Sequence, residues 1–185
     1  MLTITKLLQV SLLLINTKKM KKTLVLLIAF LFVLISFSQD MKKFNLYKPE
    51  ENAMQKIEEA IVKAKSEKKQ VFIQIGGNWC IWCARFNDFV TSDKKIDSLI
   101  KTDYVTYHLN YSKENFNTAL LDKFEYPQRF GFPVFLILNA EGKLIHTQDS
   151  WFLEDGKTSY NTEKIMSFLN NWKQKAFEPS QYKEQ

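Results

Sequence analysis

The chain has two cysteines, and they stand three positions apart in Trp79-Cys80-Ile81-Trp82-Cys83. Cysteines so placed serve a structural disulfide, a metal site or thiol–disulfide exchange. A disulfide placed for stability gains from the length of the loop it closes: in the chain-entropy model four residues give about 2 kcal/mol, against roughly 4.7 kcal/mol for a 100-residue loop. Zinc takes about four ligands, whereas this chain adds only two isolated histidines, His108 and His146, to its single CxxC. Exchange chemistry therefore fits best, and no metal is expected. At a helix N-terminus the unpaired N–H groups and the macrodipole favour an anion, so the first thiol ionises below its reference value near 8.5. Cys80 is then the attacking nucleophile. Cys83, one turn on, attacks the mixed disulfide and releases the product. Trp79 either shields the pair and offers substrate an apolar contact, or packs into the core as large aromatics commonly do.

The elements that must position this pair follow from periodicity. Ala53, Met54, Ile57, Ala60, Ile61 and Ala64 recur at helical spacing behind Pro49-Glu50-Glu51, predicting an amphipathic helix over about residues 50–67. Val71–Ile75, ended by Gly76-Gly77, reads as a buried strand. The cysteines thus fall where a strand passes into a helix, residues 80–91. Asp93 can cap a further helix through Ile100, and Tyr104–Leu109 is a second strand. A weaker helix spans Phe116–Phe124 and a third strand Val134–Leu138. Asn139-Ala140-Glu141-Gly142 is a hairpin turn into Lys143–Thr147, and Asn161 or Thr162 caps a last helix with Ile165, Phe168, Leu169 and Trp172 inward. The expected class is α/β, a mixed central sheet flanked by helices on both faces.

Charge separates an address from a domain. The chain has 185 residues and a formal charge of +6, but residues 1–38 hold five lysines and no acid. Removing those five from 26 basic residues leaves 21 against 20 acidic ones, so nucleic-acid binding, which needs a basic surface, is disfavoured. Lys18-Lys19-Met20-Lys21-Lys22, the apolar run Leu24–Ile35 and the small Ser36 and Ser38 have the form of a secretory signal. Residues 1–38 are read as that signal, with Met20 the more natural start. Residues 39–185 are read as one domain, with its core over about 50–175. A membrane anchor is the less favoured reading, because it needs about 20 apolar residues. The folded domain is expected to be periplasmic or secreted.

At Trp79–Cys83, Val71–Ile75 and Gly131-Phe132-Pro133 the chain resembles the thioredoxin superfamily, and within it exported thioredoxin-related proteins carrying WCxWC. The resemblance implies a thioredoxin-like fold and a cis Phe132–Pro133 bond against the disulfide. It also implies a substrate-contacting surface formed by Trp79, Trp82, Phe132 and Pro133. Gln74 stands where the family holds a buried acid six residues before the first cysteine, and it cannot titrate. His108, in His108-Leu109-Asn110, occupies the place of a family lysine. His108 is thus a candidate proton acceptor for Cys83, unless strand alternation turns it to solvent or into a core hydrogen bond. Arg85 reads as a solvated charge and His146 as a surface residue.

These features imply a protein thiol–disulfide oxidoreductase with no small-molecule cofactor. It would act on disulfide-containing exported proteins and be kept reduced by a membrane thiol electron donor. An oxidase or isomerase of the same fold is the near alternative, and a non-catalytic binding module on the same scaffold the distant one.

Overall fold

The computed structural model describes residues 22–26 and 44–183. Residues 22–26 are helical with exposed side chains; the rest of the signal read over residues 1–38 lies outside the described residues. Among the described residues no helix is long and apolar enough to cross a membrane.

From Phe44 onward the chain builds a four-stranded sheet whose strands lie in the order Tyr104–Asn110, Gln70–Gly76, Val134–Leu138, Leu144–Asp149. Helix α1 is Ala53–Glu67. It starts three residues later than its charge pattern predicts, because Glu51 N–H bonds back to the Lys48 carbonyl and Asn52 is the cap, its Oδ1 accepting from Gln55 N–H at 3.2 Å. Strand β1, Gln70–Gly76, is buried along its whole length. It leads through Gly77, Asn78 and Trp79 into α2, Ile81–Ser92. Asp93 caps α3, Lys94–Asp103, by accepting from Lys95 and Ile96 N–H. Strand β2 is Tyr104–Asn110. Helix α4, Thr118–Lys123, is shorter than expected. Asn117 Nδ2 donates to the Asn110 carbonyl at 2.8 Å and Asn115 Oδ1 accepts from Asn117 N–H, so the asparagines tie residues 115–117 to β2 before a helix can begin.

Strand β3 is Val134–Leu138 and β4 Leu144–Asp149, joined by a turn in which Asn139 Oδ1 accepts from Glu141 and Lys143 N–H. Helix α5, Thr162–Trp172, is capped by Asn161. Strand β1 runs parallel to β2, with Gln74 opposite His108, and antiparallel to β3, with Ile75 opposite Val134. The architecture is the α/β arrangement anticipated, with helices on both faces.

Strand alternation divides the core. Val71, Ile73 and Ile75 meet Ala53, Ile57, Ala60 and Ala64 of α1 together with Leu120 and Leu121 of α4. Phe72 turns the other way, toward Phe86 of α2, Ile96 of α3 and Phe168 of α5. Each such large side chain contributes about 1.5–3 kcal/mol on burial, so β1, covered on both faces, is the fixed base from which the cysteine loop departs. His146 departs from expectation. Edge strand β4 turns it under α5, where its ring stacks on Trp172 at 4.0 Å and Nε2 lies 3.1 Å from Gln148 Oε1.

Candidate active site

The strand-to-helix junction shapes the cysteine pair. Cys80 N–H bonds to the Gly77 carbonyl at 3.0 Å, closing the turn after β1. Cys80 is itself the N-cap of α2, in extended conformation, with Sγ accepting from Cys83 N–H at 3.1 Å. The two sulfurs form a disulfide, with Cα atoms 5.2 Å apart. Cys80 keeps 4% of its surface and Cys83 none, so an incoming sulfur meets Cys80 first. Once reduced, Cys80 would hold its charge at the helix end, where the Cys83 amide already points at it.

Behind the pair lies a small polar pocket that the sequence reading did not contain. A Cβ on Gly76 would overlap Cys83 Sγ and stand 2.8 Å from the Tyr47 hydroxyl, so the absence of a side chain lets phenol and sulfur share one space. Tyr47 is fully buried with the two cysteines. Gln74, on the same sheet face, donates through Nε2 to the Tyr47 hydroxyl at 2.8 Å and to the Cys83 carbonyl at 3.4 Å. Burial holds the Tyr47 phenol well above its ordinary pKa, so it stays protonated. Asn78 fastens Tyr47 in place through hydrogen bonds to its backbone. The available sequence signal was a lone aromatic and aliphatic cluster, Phe44 to Tyr47, ahead of the first helix and outside the region of resemblance.

His108 lies opposite Gln74 and on its face of the sheet. It is half-buried, with its ring edge-on to Tyr47 at 5.8 Å. Desolvation pushes its pKa down to about 4, so the imidazole is neutral near pH 7.

The expected apolar rim is assembled from three segments. The Phe132–Pro133 peptide bond is cis, and buried Pro133 leads directly into β3 beside the end of β1. Phe132 packs against the cysteine cluster and meets the edge of Trp79 at 5.5 Å and the face of Tyr111 at 4.7 Å. Trp79 Nε1 donates to the Tyr111 carbonyl at 2.8 Å, which leaves the ring 55% exposed. Trp82 packs inward against the same cysteines and against Tyr160. Arg85 is partly exposed on α2, and its guanidinium lies 4.7 Å from the centre of the Trp82 ring, a cation–π contact the sequence does not announce.

Residues 52–140 match a family model described as thioredoxin-like. Among solved structures, the chain is similar to a disulphide isomerase from Xylella fastidiosa Temecula1. The two are 22% identical with a TM-score of 0.59, over 69% of this chain and 96% of that one. A thioredoxin from Thermus thermophilus is 18% identical with a TM-score of 0.45, over 62% and 81% of the two chains. The oxidised C-terminal domain of DsbD from Neisseria meningitidis is 12% identical, also with a TM-score of 0.45, over 65% and 96%. No curated protein matches the sequence. At these identities the likeness to the isomerase speaks for the fold alone.

Proposed function

We propose that the chain is a protein thiol–disulfide oxidoreductase, because residues 52–140 match a thioredoxin-like family model and its two cysteines meet at the N-terminus of α2. The observation that carries this reading is the unequal placement of the pair. Cys80 sits at the surface end of the helix with an amide directed at its sulfur, and Cys83 is sealed behind it.

In the reducing direction the Cys80 thiolate attacks one sulfur of a substrate disulfide. The substrate S–S bond breaks, its second sulfur leaves as a thiolate, and Cys80 is left in a mixed disulfide. Cys83 then attacks Cys80 Sγ, forming the Cys80–Cys83 bond and releasing the remaining substrate sulfur as a thiol. Two electrons have passed from the protein to the substrate. Trp79, Trp82, Phe132 and Pro133 supply the apolar surface on which an extended substrate segment would lie, its backbone pairing beside Phe132. His108 occupies the position proposed for a proton acceptor, but a base whose pKa is about 4 is a weak partner for a thiol near 8.5.

The reading extends to an exported protein, on the strength of the signal-like residues 18–38. It would be cleaved near Gln39 and would act on disulfide-containing exported proteins. An exported compartment already drives oxidation, so the direction proposed is reduction, with a membrane thiol donor recharging Cys80 and Cys83.

The test is the equilibrium of the full chain with glutathione, together with trapping by Cys83→Ala in an extract of exported proteins. A potential in the low range of about −270 mV and substrates held on Cys80 are expected. A potential near about −120 mV would make the protein an oxidase, and an empty trap would make it a binding module. N-terminal sequencing of the exported protein tests the cleavage site.

A further inference from the structure

In the exchange cycle proposed above, Cys83 must become a thiolate in a place where its sulfur is fully covered. The groups packed around it supply no cation. Tyr47 faces it from the N-terminal segment and Gln74 from β1, and His108 of β2 lies edge-on to Tyr47. Tyr160 bonds to the Trp82 carbonyl, and Arg85 of α2 lies over the Trp82 ring. Gln74 has no proton to exchange, and His108 is neutral in its buried place.

Tyr47 is differently situated. Its hydroxyl shares with Cys83 Sγ the space that Gly76 leaves open. The phenolic oxygen already accepts from Gln74 Nε2, so its own hydrogen is free for another partner, and in the disulfide form that hydrogen has no acceptor among the described residues. A buried donor without an acceptor is costly. A thiolate at Cys83 is the acceptor the pocket lacks.

We propose that Tyr47 donates its phenolic hydrogen bond to the Cys83 sulfur whenever the Cys80–Cys83 bond is open. Tyr47 thereby stabilises the resolving thiolate in a site that has no buried acid. This assignment rests on the exchange reading, and it gives Gln74 a function: the amide orients the phenol instead of moving a proton. During resolution Cys83 attacks Cys80 Sγ, the bond from Cys80 to the substrate sulfur breaks, and the electron pair leaves with the substrate. The proton lost by the Cys83 thiol is balanced by the one the departing sulfur takes up, and Tyr47 keeps its own throughout.

The test uses the full chain with Cys80→Ser, which leaves Cys83 as the single thiol. Titration of its thiolate absorbance in the ultraviolet, with and without Tyr47→Phe, should show the Cys83 pKa rising by about one unit when the hydroxyl is removed, a tenfold loss of thiolate at neutral pH. Superimposable titrations of two folded variants would overturn the proposal. The unmutated protein gives a second readout should Tyr47→Phe fail to fold. Its reduced form should show a slowly exchanging phenolic proton with a nuclear Overhauser contact to the Cys83 β-protons, and the lack of that contact would equally overturn the proposal. Failure of the exchange reading is seen separately, as an unmutated chain that does not react with glutathione disulfide.

Discussion

Asn78 grips the Tyr47 residue at both of its backbone groups: Oδ1 accepts from Tyr47 N–H at 3.0 Å, and Nδ2 donates to the Tyr47 carbonyl at 2.9 Å. The same Oδ1 accepts from Leu46 N–H at 2.9 Å. One side chain, two residues before Cys80, therefore stands in for a short strand pairing and ties the segment ahead of α1 to the cysteine loop. Replacing Asn78 with alanine leaves these backbone groups unpaired in partly buried surroundings. A loss of about 1–3 kcal/mol is expected, read from the urea midpoint. Amide exchange should quicken at Leu46 and Tyr47 while the β1 amides keep their protection relative to global unfolding.

Gly76 is required for space. Its φ does not lie in the left-handed region, so alanine there meets no backbone penalty, but the added methyl collides with Cys83 Sγ and the Tyr47 hydroxyl. Gly76→Ala should cost about 1–3 kcal/mol by overpacking and slow closure of the Cys80–Cys83 disulfide. Thermal melting and the rate of oxidation by glutathione disulfide are the measurements. An unchanged rate would mean that the pocket yields at Tyr47 without moving the sulfur.

Much of this arrangement was legible in the residues. The run Val71–Ile75 could only be a strand buried on both faces, Asn139 to Gly142 could only turn, and a CxxC between strand and helix put its first sulfur at a helix end. The cis bond before Pro133 came from resemblance, since nothing local in Gly131-Phe132-Pro133 demands it. Tyr47 and Asn78 escaped because their partnership spans 31 positions and exists only once β1 has carried the loop back past the N-terminal segment. His146 escaped for a related reason: on an edge strand alternation does not say which face a helix covers, and α5 covers the one with the imidazole. Arg85 follows the same logic, its destination being a tryptophan three residues earlier whose own orientation depends on Tyr160.

The register of β1 and β2 makes His108 a pH-dependent liability. Burial lowers its pKa from 6.5 to about 4. As the pH falls below about 6.5 the unfolded chain takes up a proton that the folded chain refuses until about pH 4, so stability declines across that window and levels off beneath it. The slope approaches about 1.4 kcal/mol per pH unit. Urea denaturation of His108→Gln between these limits should lack that slope. Mixed-disulfide resolution by the same variant at pH 6–8 should stay within about twofold of the parent, as expected where the imidazole is a weak base. A larger fall in rate would restore it as proton acceptor.

Trp79 is held by one hydrogen bond and one ring edge, and more than half of it faces solvent. Nearly half of its area is nonetheless covered, so Trp79→Ala should cost about 2–3 kcal/mol, from lost apolar burial together with the bond to the Tyr111 carbonyl. Its effect on exchange should depend on the partner. A small disulfide such as glutathione disulfide reaches Cys80 without using the rim, whereas an unfolded protein disulfide lies against it. Loss of an apolar contact worth about 1.4 kcal/mol slows the second reaction about tenfold and leaves the first nearly unchanged. Second-order rates of mixed-disulfide formation with the two partners, measured side by side, separate docking from reactivity. An equal fall in both would place the action of Trp79 on the Cys80 thiolate itself and remove it from the substrate surface.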